Sequence, residues 1–114
     1  MNLSGTWTGT LESANFPTLP ITLVVVQSSD CVDGAWISST GDWKGAISGF
    51  AIENAFGGSF SLERSANGGG QCEATGTVSG PASQSAIRMT ATSLTPIGAC
   101  VGDLPAGVVL TLQR

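Results

Sequence analysis

"LSGTWTGTLES", residues Leu3–Ser13, decides the fold. Gly5, Trp7, Gly9 and Leu11 fall on one face, and Thr6, Thr8, Thr10 and Glu12 fall on the other. A period of two is that of a β-strand with one face turned to a core. The glycines flanking Trp7 on its own face narrow the choice further. The inside of an eight-stranded closed sheet is cramped, so an inward Trp needs neighbours without side chains. Glycine also lets a strand coil where a barrel closes.

The same alternation continues along the chain. Eight strands are expected, at about Ser4–Ser13, Leu19–Ser28, Cys31–Ser39, Trp43–Ile52, Ala55–Arg64, Gln71–Gly80, Ser85–Ser93 and Ala106–Arg114. They are separated by turn chemistry at Ser28–Asp30, Glu53-Asn54, Asn67–Gly70 and Gly80–Ser83. The inward faces carry runs such as Leu19, Ile21, Leu23, Val25 and Phe56, Gly58, Phe60, Leu62, while Thr, Ser, Gln, Lys and Glu fill most of the outward faces. Val24, Val26, Phe50 and Ile52 break this rule, and a bulge at Ser48-Gly49 would account for the last two. A recurring glycine–small–large triplet (Gly5-Thr6-Trp7, Gly34-Ala35-Trp36, Gly58-Ser59-Phe60) lacks a fixed period and reads as β composition rather than duplication. One apolar face per strand, short connections and no helix signal suit an eight-stranded antiparallel up-and-down β-barrel, with a two-sheet sandwich as the alternative.

The 114 residues fit a single domain, 1–114. Charged residues make up 11%, against roughly 25% in an average soluble domain. The net charge is −4, without a basic run, which argues against nucleic acid and against anionic membrane surfaces. No apolar run approaches the roughly 18 residues of a spanning helix. Asn2 and Ser4 follow Met1 where a signal peptide would turn apolar. The Ser/Thr/Gly-rich, weakly charged composition is that of exported bacterial proteins, so the expected location is secreted or periplasmic. The absence of His excludes a Ser-His-Asp triad, a Cys-His dyad and His-ligated haem. Asp30, Asp33 and Asp42 sit in or beside turns, and Glu63 and Glu73 face outward, with Arg64 expected to neutralise them. No two carboxylates face one cleft as glycoside hydrolysis requires. The expectation is a protein without catalytic residues, metal or cofactor.

Gly5-Thr6-Trp7 on the first strand resembles the G-x-W signature of the calycin barrels, namely lipocalins, fatty-acid-binding proteins and avidins. "GTWTGTLESANFPTLP" also resembles the opening of nitrobindin-type barrels. The resemblance covers about the first twenty residues. It implies a structural role for Gly5 and Trp7 at a closed end, with Arg114 covering the Trp and Arg88 as the alternative. It carries neither haem nor biotin over, because the chain has no His and no Tyr.

In such a barrel the loops after strands one, three, five and seven share one end, and these are the longer ones: about Ala14–Thr18, Thr40–Asp42, Ser65–Gly70 and Leu94–Pro105. That end is the expected mouth, with Phe16, Trp43, Leu94, Ile97 and Leu104 near it. Cys72 and Cys100 both fall there and are expected to form a disulfide, the alternative being three free thiols. Cys31 falls at the tight end, as a buried thiol or an intermolecular link, with burial expected. Two functions follow. One is a ligand-binding barrel in which Trp36, Trp43, Phe56, Phe60, Met89 and Phe16 contact an apolar or aromatic small molecule. The other is a structural or protein-interaction barrel with a filled core that self-associates through its Thr/Ser-rich faces or through Val24, Val26 and Phe50.

Overall fold

In the computed structural model, residues 2–13, 16–66, 70–98 and 107–114 are described. Eight strands follow one another: β1 Gly5–Ser13, β2 Phe16–Ser28, β3 Cys31–Ser38, β4 Trp43–Ile52, β5 Ala55–Ala66, β6 Gly70–Pro81, β7 Ala86–Gly98 and β8 Val108–Gln113. Every neighbour pair is antiparallel, and β1 pairs with β8, so the sheet is a closed up-and-down barrel rather than a sandwich. The closing register sets Thr10 against Thr111 and Leu11 against Leu110. Among the described residues there is no helix.

Period-two alternation fills the interior. Trp7, Leu23, Trp36, Phe60, Leu62, Met89, Leu110 and Leu112 are all buried. Ser and Thr are the commonest residues on the outer faces.

Cross-strand registry shows how large side chains fit. Trp36 pairs with Gly45, Phe60 with Gly76 and Phe56 with Gly80, so each of these three buried aromatics has a glycine beside it on the next strand. The Trp36 indole crosses beneath Gly45, donates Nε1–H to the Ser61 carbonyl at 3.3 Å and stacks on Phe60 at 5.9 Å between centroids. A Cβ on Gly45 would lie 1.9 Å from the Ser61 carbonyl oxygen and 2.6 Å from Trp36 Nε1. Gly49 and Gly58 face each other, and a Cβ on either would come within 2.6 Å of the other's Cα. These positions require the missing side chain for space.

Several expectations are corrected. No bulge occurs at Ser48-Gly49, where pairing with both β3 and β5 is continuous. Phe50 and Ile52 therefore point outward, while Ala51 between them is buried. The register shifts lie elsewhere, between Leu11 and Ser13 in β1 and opposite Thr75–Thr77 in β7. Strand β7 runs on to Gly98, so Leu94–Gly98 is strand rather than loop, and β2 starts at Phe16 rather than Leu19. Cys31 is exposed and free, not buried, because Val32 takes the inward position beside it. Glu63 pairs with Lys44 at 3.8 Å rather than with Arg64, whose guanidinium lies over Trp43.

Candidate functional site

The two ends of the barrel are built differently. At the end where β1 starts and β8 finishes, Asn2–Ser4 fold across the opening. Leu3 is buried there as a plug, its N–H donating to Gln27 Oε1 at 2.8 Å and its carbonyl accepting from Trp7 Nε1 at 2.8 Å. Ser4 Oγ accepts from the Gln27 N–H at 2.9 Å. Arg114, leaving β8, donates to the carbonyls of Ser4, at 2.7 Å, and Asn2. Its guanidinium carbon lies 4.5 Å from the centre of the Trp7 ring. Gly5 permits the approach: its φ is +132°, a conformation that L side chains rarely adopt, and a Cβ would sit 3.3 Å from Arg114 Nη1. Trp7 thus has its face on a cation and its N–H on a carbonyl, which satisfies the one polar atom of a buried indole.

At the opposite end, three inward apolar side chains among the described residues are only partly covered. Leu19, Trp43 and Leu94 pack against the core yet retain exposure. Arg64, the register partner of Trp43, holds its guanidinium 5.2 Å over that ring. Ser38 is buried beneath the β3–β4 turn. Its hydroxyl accepts from the Trp43 N–H at 3.2 Å and bonds Thr40 Oγ1 at 3.2 Å, which fixes the backbone from which Trp43 projects. Ser13 Oγ, also at this end, is buried with no partner among the described residues.

Leu94 reaches this rim through the irregularity in β7. Thr77 pairs with Thr92 but Thr75 with Thr95, so β7 carries one extra residue. Ser93 absorbs it at φ +56°. Unbroken alternation after Ala91 would turn Ser93 inward and Leu94 outward; the bulge reverses the two.

Of the residues expected to contact ligand, Trp36, Phe56, Phe60 and Met89 lie together in the packed core, and Trp43 lies at the rim. Phe16 opens β2 and Ile97 lies near the end of β7, but their side chains are outside the described residues, as are Cys100 and Leu104. Cys72 is buried on β6. The sequence pattern assigns neither Leu3 nor Gln27 to a site. Gln27 has a legible signal, being a polar residue in the inward phase after Leu23 and Val25, and Leu3 has one too, being an apolar residue in the phase of Gly5 and Trp7, although it lies before the strand begins. Among the described residues, no group of three or more His, Cys, Asp or Glu could hold a metal, and no helix is long and apolar enough to cross a membrane.

The fold and its two unlike ends define the class: an eight-stranded up-and-down barrel, consistent with a calycin-like architecture, sealed at one end by a Trp–Arg clamp. Comparison with protein-family models, curated proteins and solved structures returns no significant match.

Proposed function

We propose that this protein is a binding barrel that takes a small apolar or aromatic molecule at its open end, on a floor made by Leu19, Trp43 and Leu94. The observation that carries this reading is the asymmetry of the ends. One is closed by a buried leucine and a network of hydrogen bonds, while the other leaves three large apolar side chains partly uncovered. Trp36, Phe60 and Met89 fill the layers below, so the ligand rests in the mouth rather than deep inside. A flat ligand on Trp43 displaces Arg64, an exposed cation–π contact worth only about 0.5–1 kcal/mol. Ligand burial against three apolar side chains outweighs that loss, at about 25 cal/mol per Å².

Titration with the dye 1-anilinonaphthalene-8-sulfonate tests the reading. Saturable micromolar binding is expected, weakened at least tenfold by Trp43→Ala and unchanged by Val26→Ser on the outer wall. Equal binding by Trp43→Ala and the parent protein would overturn it.

Export and a Cys72–Cys100 disulfide belong to the same proposal. Cys72 points inward on β6 opposite Gly98, two residues before Cys100. Such a bond would hold the mouth together and implies an oxidising compartment. Non-reducing mass mapping should recover the Cys72–Cys100 peptide pair and leave Cys31 alkylatable in the folded protein.

A further inference from the structure

The outer wall over β2, β3 and β4 departs from the Ser/Thr surface of the rest of the barrel. Val24, Val26, Ile37, Phe50 and Ile52 all point outward there, between 48% and 67% exposed. Two adjoining grooves of about 480 and 460 Å³ run over this wall and share Val24, Ala35 and Ala46. The registry explains the relief. Val24, Ala35 and Ala46 form one cross-strand row, low at the two alanines. On one side of it stands the row Thr22, Ile37, Lys44; on the other stands the row Val26, Asp33, Ser48.

We infer that this wall is the interface of a reversible homodimer, the occupant being a second copy of the chain. The charges favour self-pairing. Asp33 lies two residues to one side of the Ala35–Ala46 row and Lys44 two residues to the other. A two-fold axis lying along that row turns one copy over the other, so that the Asp33 side of each meets the Lys44 side of its mate. The alanines then oppose each other at the axis, where small side chains allow close approach. The ridges at Val26 and Ile37 enter the grooves on either side. Within one copy Lys44 holds Glu63 at 3.8 Å and Asp33 accepts from Ser48 Oγ at 2.8 Å, so the approach of Lys44 to the mate's Asp33 side offsets part of the repulsion between two copies of the same net negative charge. Strands rise about 3.3 Å per residue and lie about 4.8 Å apart, so the three-strand face from Lys44 to Ile52 covers roughly 400 Å² per copy. The total of roughly 800 Å² lies below that of standard specific interfaces and in the range of weak, transient pairing. The dimer is therefore expected to depend on concentration. Being on the outer wall, it is independent of the mouth.

Sedimentation velocity of the full chain from 1 μM to 1 mM tests the inference. Dimer is expected to accumulate within that range, with Ala46→Arg remaining monomeric throughout. Asp33→Lys and Lys44→Glu should each weaken association at least tenfold, and the double variant should restore it. All three positions face solvent in the monomer, so circular dichroism should show an unchanged fold. A parent protein that stays monomeric to 1 mM would overturn the inference. So would a dimer indifferent to Ala46→Arg, or a double charge swap that fails to restore association.

Discussion

The closed and open ends are made from the same alternating strands, yet they finish the core in opposite ways. At the closed end, residues outside the sheet complete the core. Leu3 plugs the opening, and Trp7, Gln27 and Arg114 hold the backbone around it. At the open end, among the described residues, Leu19, Trp43 and Leu94 stay partly exposed. A backbone irregularity at Ser93 even turns Leu94 toward it. Alternation alone decides what is inside a barrel. What caps each end is decided by a few residues that break the alternation, and these are where stability and binding separate.

The largest expected effect tests that separation directly. Trp7→Ala removes a fully buried indole and should cost about 3–5 kcal/mol in urea unfolding. Trp43→Ala, at a partly exposed rim position, should cost about 1 kcal/mol or less. Equal losses would mean the ends are not energetically distinct.

Next in size is the plug. Leu3→Ala should cost about 2–4 kcal/mol, the range for a buried leucine, although Leu3 lies outside every strand. Arg114→Met should cost less, about 1–2 kcal/mol, through the lost cation–π contact and the two carbonyls left without their charged donor. Because both side chains act on the same Asn2–Ser4 segment, the double variant should lose less than the sum of the singles. Additive losses in that cycle would show that the clamp is two separate contacts rather than one unit.

The barrel is legible in the sequence because its logic is local. Inward glycines and aromatics keep strict parity, and β1 through β6 hold that parity almost without interruption. Parity also places Val32 inside, and that alone puts Cys31 outside; the general tendency of cysteines to be buried is the weaker argument. The start of β2 is obscured because Pro17 and Pro20 read as breakers, yet Pro20 pairs with Thr10 within the sheet. The end of β7 is hidden for a different reason. The extra residue at Ser93 inverts the phase, so Leu94 onward no longer matches the pattern set by Ile87, Met89 and Ala91. The clamp is only half visible. Trp7 and Arg114 stand out as residue types and Leu3 keeps the inward phase of Gly5 and Trp7, but the fold of Asn2–Ser4 across the opening and the carbonyl Leu3 offers to Trp7 are encoded by no periodicity.

The smallest expected effect concerns that inverted phase and sharpens the contrast between the ends. Ser93 holds φ at +56°, where a non-glycine residue is strained by an amount of order 1 kcal/mol. Ser93→Gly keeps the extra residue and relieves the strain, though it adds backbone freedom to the unfolded chain. The net gain should be about 0.5 kcal/mol in unfolding free energy, with dye binding at the mouth unchanged. Leu94→Ser is the informative companion. It keeps the bulge and removes one wall of the open end, so dye affinity should fall while β1 and the Trp7–Arg114 clamp stay intact. If the substitution left dye binding untouched, Leu94 would have no part in the mouth. The bulge would then be a feature of barrel curvature alone.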